Sequence, residues 1–431
     1  MLNNLFNKPI EELTESDLND LIDREISEGY WVEYKREFQT SKKIAKSIAS
    51  FANSYGGWYF LGVEADKTRN IAIKICGFSL DEFPNPVDSF RESVKANIDP
   101  VPFFIPKLVE IGDNKAVLVV YIPENQETPF INRDGRIYRR ISDSSDPIPE
   151  DNRFAVDRLY DNGKELSKRF DEFCKDARMF SRNEENQSWV NIYLSPYPLG
   201  LIERNEMWYS EAINRLIEIS QKPLDIYLDA DKKIRSGNLP FNSGQMGVQS
   251  IILKQVTPEK LPYSTITAEL FFDGKTKIFI PLEYVQILKN INQLKSKKVI
   301  RVVKNLQESD KEGDFYLIRF FDLQKLFAIV TSLLNYYQKW YYNNQLFNSL
   351  RFAISLENIW RVSPFVDSDE WGSFTEKYGL PIQHVNSLRI PNQRGKGIII
   401  NEFPLWTTAC PLIATGFGIP LDIYTKIAFS Y

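Results

Sequence analysis

The stretch from Trp31 to Asp66 limits the fold of this chain more than any other segment. Trp31 to Phe38 alternates as a strand does, so Glu33 and Lys35 share one face while Val32 and Tyr34 take the other. Ser41 to Asn53 has helical spacing, with Ile44, Ile48 and Phe51 on one stripe and Lys42, Lys43 and Lys46 crowding the first turns. Asn53 and Gly56-Gly57 are expected to end that helix, because both residue types tolerate positive φ. Trp58 to Val63 follows as a buried strand that carries Glu64 and Asp66 at its far end. Strand, basic helix, glycine turn, strand, carboxylates is an α/β order, and a Gly56-Gly57 turn without a G-x-x-x-x-G-K-[ST] frame implies no nucleotide cofactor.

The rest of the N-terminal part fits around this unit. Residues 8–27 suit a capping helix that starts near Thr14 to Asp17 and buries Leu18, Leu21, Ile22 and Ile26. A helix is expected over Pro86 to Ile98, a hairpin from Phe103–Ile111 to Ala116–Ile122 around Gly112-Asp113-Asn114, and a strand over Arg136 to Ser142. The fold class is α+β, with an N-terminal mixed sheet of about five strands packed with helices and a second α+β region behind it. The expected divisions are 1–160, a helical connector at 161–187 and a domain at 188–431, with the polar run Ser181 to Gln187 as the boundary. In the second region, strands are expected at Val190–Leu194, Gly247–Gln255, Thr265–Phe272, Lys277–Pro281, Lys298–Val303 and Gly397–Ile400. Leu323 to Tyr342 reads as a long helix with Leu326, Val330, Leu333, Leu334, Tyr337 and Tyr341 on its core stripe.

Composition removes several classes of chemistry. A chain of 431 residues with 43% apolar content is globular and long enough for two or three domains. Three scattered cysteines argue against a disulfide framework or a zinc ribbon. No apolar run reaches the ~18 residues of a membrane span, and no leader pattern opens the chain, so a cytoplasmic location is expected. His384 is the only histidine, which excludes histidine-pair nucleases and HExxH sites. Net charge is −4, and residues 1–160 hold 20 basic and 27 acidic groups, so any nucleic-acid contact must rest on a local basic patch.

Residues 20 to 160 resemble the AlbA-2 domain of the Schlafen family. The resemblance is carried by Glu28 and Glu33-Tyr34-Lys35, by Ser50-Phe51-Ala52-Asn53 with Gly56-Gly57, by Gly62-Val63-Glu64-Ala65-Asp66, and by Tyr138-Arg139-Arg140-Ile141-Ser142. It implies nucleic-acid binding. It also implies a metal-dependent endoribonuclease site in which Glu28, Glu33 and Asp66 hold Mg²⁺ or Mn²⁺, with Glu64 competing for the third place. Such ribonucleases act in stress or defence and enclose RNA between two lobes. This chain shows one clear copy, so a homodimer or a diverged C-terminal half would supply the other.

Two readings of the charged residues stay open. Converging carboxylates repel one another in a low dielectric, so a cation must sit among them or one must be protonated. Alternatively Glu33 pairs with Lys35 or Arg140, Glu28 faces solvent, and the protein binds without cutting. The basic set for phosphate contact is Lys35, Arg36, Lys42, Lys43, Lys46, Arg133, Arg136, Arg139 and Arg140, with the helix start at residue 42 adding a favourable dipole. Trp31, Tyr34, Trp58 and Tyr59 could stack on bases or be core. RNA is favoured over DNA because no helix-turn-helix or zinc-finger signature accompanies the module. The alternatives are a non-catalytic DNA-binding regulator and an interaction protein whose C-terminal half recognises a protein or ligand.

Overall fold

The computed structural model describes residues 5–175 apart from 7, 9, 125–126 and 142–145. Beyond these it describes 187–197, 217, 227–228, 234–235, 241–255, 265–285, 287, 291–310, 313–343, 349–390, 398–399 and 404–428. The chain divides into two compact units, 1–175 and 176–431. Ser142 and the run 181–186 lie outside the described residues.

The first unit is built on a five-stranded mixed sheet. Its strands are β1 (Val32–Lys35), β2 (Gly57–Leu61), β5 (Phe78–Ser79), β7 (Ile105–Glu110) and β8 (Lys115–Ile122). The β3–β4 ribbon (Val63–Ala65, Ala72–Ile75) and two-residue strands β6 (Ile98–Asp99), β9 (Ile131–Asn132), β10 (Tyr138–Arg139) and β11 (Ile148–Pro149) complete it. The order is β1-β2-β8-β5 with β7 also on β8. β1 and β2 are parallel, and the remaining pairs of this sheet are antiparallel.

Strand alternation gives the sheet two apolar faces, and each is covered. Val32, Tyr34, Trp58, Phe60, Val117 and Val119 pack with Leu18 and Leu21 of α1 (Glu15–Asp23). That helix begins where Asp17 reaches back to accept the Thr14 backbone N–H at 2.8 Å. Tyr59, Leu61, Leu118, Val120 and Ile122 pack with Ile44, Ile48 and Phe51 of α2 (Ser41–Ala52) and with Phe90 and Val94 of α3 (Pro86–Asn97). The register Glu33↔Tyr59 therefore places Glu33 under α2.

The turn from α2 into β2 needs its glycines. A Cβ on Gly56 (φ +69°) would lie 2.5 Å from the Ile122 carbonyl oxygen, and one on Gly57 2.6 Å from the Phe51 ring. Asn53 stays at φ −81°, so its place is not explained by positive φ, contrary to expectation. Its side chain instead clamps a distant segment. Asn53 Nδ2 donates to the carbonyls of Phe130 (2.8 Å) and Tyr138 (3.1 Å), and Oδ1 accepts the Phe130 N–H at 2.7 Å. α4 (Arg153–Phe173) belongs to the same unit, and the Thr128 hydroxyl donates to its Leu159 carbonyl at 2.6 Å.

The second unit has an antiparallel sheet in the order Ser243–Met246, Ser250–Lys254, Thr267–Phe271, Thr276–Pro281, Trp189–Tyr197, Ser349–Glu357, Ser387–Ile390, with Ile398–Ile399 also against Ser349–Glu357. The helix Leu323–Asn343 buries Leu326, Val330, Leu333, Leu334 and Tyr337 in the core of this unit. Tyr336, off the expected stripe, is buried as well. Lys298–Val303 is not a strand but lies in the helix Lys297–Ser309. Its valines are β-branched, yet Ser296 caps the helix by accepting the Val299 N–H at 3.2 Å, and Val299, Val302 and Val303 fall on one buried face. Among the described residues no helix is long and apolar enough to cross a membrane.

Candidate nucleic-acid interface

Glu33 is 1% exposed, and its carboxylate is fully engaged. Oε2 pairs with Arg140 Nη1 at 2.7 Å, while Oε1 accepts from Ser47 Oγ at 2.9 Å and pairs with Lys35 Nζ at 2.9 Å. Arg140 is buried over the Phe51 ring, its carbon Cζ 4.1 Å from the centroid, and its Nε donates to the Gly29 carbonyl at 2.9 Å. Its backbone N–H donates to Ser54 Oγ at 3.0 Å. Among the described residues, Arg140 Nη2 and the Tyr59 hydroxyl have no hydrogen-bond partner. One carboxylate thus ties β1 to α2 and to the chain that leaves β10.

Glu28 sits at the edge of this cluster and does not simply face solvent. Its Oε1 accepts the Tyr34 N–H at 2.7 Å and lies 3.9 Å from Lys35 Nζ. Burial pushes its pKa above the ordinary glutamate value, against the lowering pull of the Tyr34 hydrogen bond and of Lys35.

The other two acids are placed elsewhere. Asp66 is half-buried in the β3–β4 turn, where Oδ1 accepts the N–H groups of Thr68 (2.7 Å) and Arg69 (2.8 Å). Those hydrogen bonds hold its carboxyl below the usual aspartate range. Glu64 pairs with Arg36 at 3.1 Å and accepts from the Cys76 thiol at 3.5 Å. Among the described residues no group of three or more His, Cys, Asp or Glu side chains is arranged to hold a metal ion. Glu28, Glu33 and Asp66 are not gathered into such a group. Two cations already neutralise the first two, and the third serves a turn.

The basic residues fall into two groups. Lys35, Arg36, Arg139 and Arg140 are ion-paired inside the unit, Arg139 with Glu150 at 2.7 Å. Lys42, Lys43, Arg133 and Arg136 are exposed, and Lys46 is half-buried. Lys42 and Lys43 stand in the first turn of α2, which contains no acidic residue. That end of the macrodipole favours anions, so the lysines cost some helix stability while reinforcing a site for negative charge. Lys46 Nζ lies 5.0 Å from the centroid of the Tyr138 ring, which joins this helix face to the β9–β10 hairpin that carries Arg133 and Arg136. The Tyr138 hydroxyl donates to Asp134 Oδ2 at 2.7 Å and braces the hairpin.

The aromatic candidates are mostly core. Tyr34, Trp58 and Tyr59 are buried, and Trp31 is half-buried against Tyr30. Tyr55, at the other end of α2, is exposed and packs edge-on to Tyr30. Ser47, Ser54, Glu150 and the clamping role of Asn53 were not anticipated. Ser47 did carry a signal, since a hydroxyl beside Ile44, Ile48 and Phe51 on a buried stripe needs a polar partner.

A mixed sheet covered on both faces, a lysine-headed helix and a buried Glu–Arg clamp define an α+β module with exposed cations on α2 and on the β9–β10 hairpin. Residues 28–149 match the family model described as Schlafen, AlbA_2, so this part of the N-terminal unit is a Schlafen-type AlbA_2 domain. That family associates the unit with nucleic-acid-related proteins. No curated protein is matched by this chain. Solved structures similar to it include the following two. The solution structure of the N-terminal domain of a putative ATP-dependent DNA helicase RecG-related protein from Nitrosomonas europaea is 24% identical, covering 29% of this chain and 88% of that one, with a TM-score of 0.23. The crystal structure of the DIP2311 protein from Corynebacterium diphtheriae is 15% identical, covering 47% of this chain and 36% of that one, with a TM-score of 0.22.

Proposed function

We propose that the N-terminal unit binds nucleic acid through its phosphates, RNA in preference to DNA, using Lys42, Lys43 and Lys46 of α2 with Arg133 and Arg136 of the β9–β10 hairpin. The observation that supports this most is the helix start, where two exposed lysines occupy a turn whose dipole already favours anions. Lys35, Arg36, Arg139 and Arg140 are removed from the contact set, because each already serves a carboxylate. In this reading Glu33 and Arg140 hold α2 and the hairpin in one fixed relation, which sets the spacing of the outer cations. Contacts of this kind recognise phosphate spacing and shape before base identity.

Catalysis is the competing outcome. Cleavage by Glu28, Glu33 and Asp66 with Mg²⁺ or Mn²⁺ would require the Lys35 and Arg140 pairs to open and the β3–β4 turn to be rebuilt. Asp66→Asn separates the two accounts without harming the fold, because an asparagine oxygen also accepts the turn N–H groups. Fluorescence anisotropy on structured RNA, single strands and duplex DNA, run beside gels of RNA incubated with Mn²⁺, provides the test. The expected result is salt-sensitive binding, tightest to RNA, that is unchanged in Asp66→Asn. Binding that ignores salt would overturn phosphate recognition, and Mn²⁺-dependent cleavage lost in Asp66→Asn would transfer the function to an endoribonuclease.

A further inference from the structure

The second unit contains a cleft of about 410 Å³, within the roughly 300–1,000 Å³ usual for small-molecule sites. Its wall includes the aliphatic and aromatic side chains of Phe315, Ile318 and Leu380, together with Trp360, Arg361 and His384, the only histidine of the chain.

The turn that supplies two of these residues is unusual. It joins the strands Ser349–Glu357 and Val362–Phe365, and it holds both Asn358 (φ +55°) and Arg361 (φ +53°) in the left-handed region, which is costly for a bulky residue such as arginine. The surroundings enforce it. Arg319 Nη2 donates to the carbonyls of Asn358 (3.0 Å) and Trp360 (2.8 Å), and Asn358 Nδ2 donates to the Gln187 carbonyl at 3.0 Å. The N–H groups of Ile359 and Arg361 donate to the carbonyls of Asn386 (2.9 Å) and Gln383 (3.0 Å), while the Ile359 side chain is fully buried. An over-determined turn thus presents Trp360, 48% exposed, at the cleft. The Arg361 guanidinium lies 5.9 Å from the centroid of the indole ring.

The chemistry of the wall specifies a ligand class. A half-exposed indole on a rigid turn offers a flat apolar face, which suits an aromatic ring. A guanidinium beside it is permanently charged and pairs with carboxylate, sulfonate or phosphate through paired N–H donors. The carboxylate on this wall, Asp310, accepts the Phe315 N–H at 2.9 Å and serves the backbone turn after the helix Lys297–Ser309.

We propose that this cleft is a binding site for a small aromatic anion, whose ring stacks on Trp360 and whose charged group pairs with Arg361. The full-length protein is titrated with 8-anilinonaphthalene-1-sulfonate and, in parallel, with the neutral N-phenyl-1-naphthylamine, following fluorescence. One sulfonate should bind per chain. Trp360→Ala should weaken both probes, and Trp360→Phe, which keeps a ring at this half-exposed position, should recover part of the loss. Arg361→Asn, chosen because asparagine tolerates positive φ, should weaken the sulfonate about tenfold or more, the loss expected for a charge-assisted hydrogen bond, and leave the neutral probe within about twofold. Failure of the wild type to bind the sulfonate would overturn the proposal, as would binding that survives both Trp360→Ala and Arg361→Asn. Equal loss of the two probes in Arg361→Asn would remove the anion from it.

Discussion

The Glu33 carboxylate accepts from Arg140, Lys35 and Ser47, so its charge is balanced by two cations in a space that water does not reach. Removing that charge strands Arg140, whose guanidinium is buried and whose Nη2 has no partner among the described residues. Glu33→Gln should therefore destabilise the N-terminal unit by about 3 kcal/mol, the loss typical when one member of a buried pair is neutralised. Chemical denaturation with and without Mn²⁺ reads this out, and the shift should be the same in both. A variant as stable as wild type, in which Mn²⁺ stabilisation has disappeared, would make Glu33 a metal ligand. Glu28 should behave differently. Its folded pKa lies above the ordinary 4.5, so its contribution to stability is full below that value and is lost as pH rises through the raised one. Glu28→Gln keeps an oxygen for the Tyr34 N–H, and its stability relative to wild type should improve as pH climbs from 4.5 toward neutrality. Melting series across that range test the sign.

Among the elements, α2 shows what a local sequence pattern can and cannot reveal. Its limits, its buried stripe and its lysines follow from residues three and four apart, and the structure returns the helix as Ser41–Ala52. The partner of Glu33 was narrowed to Lys35 or Arg140, and both are used. Arg140 is 107 positions away, and no periodicity carries that distance. The same holds for Asn53, which looked like a helix stop and is a clamp on the segment 77 positions beyond. Asn53→Ala should cost about 3 kcal/mol, since three hydrogen bonds go and buried backbone groups lose a partner. Thermal unfolding of the variant measures this, and a loss below about 1 kcal/mol would mean that α2 and the 130–140 segment are held by packing alone. Asp66 stands after a strand, and its neighbours give its carboxylate a local role. Lys67-Thr68-Arg69-Asn70 is a turn sequence, and an aspartate that opens such a turn uses its carboxylate on the backbone. In Lys297–Ser309 two local signals compete. The β-branched valines favour a strand, while the cap at Ser296 and the helical spacing favour the helix that forms.

For the molecule as a whole, net charge of −4 leaves no long-range attraction for nucleic acid, and binding must come from where a few cations stand. The fold creates that inequality by placing Lys35, Arg36, Arg139 and Arg140 against carboxylates and leaving Lys42, Lys43, Arg133 and Arg136 outward. The sequence shows both groups as one basic set, because burial and side-chain pairing, that of Arg140 with Glu33 across 107 positions among them, are invisible in it. The measurement that tests this division most directly is the salt dependence of RNA affinity for wild type, for Lys42→Ala/Lys43→Ala/Lys46→Ala and for Arg36→Ala, all as full-length protein. If the three lysines each meet a phosphate of a single strand, the log–log slope should fall by about 2 in the triple variant, at about 0.7 per contact. Arg36→Ala should leave the slope as it is. An unchanged slope in the triple variant, or an equal fall in both, would contradict the account.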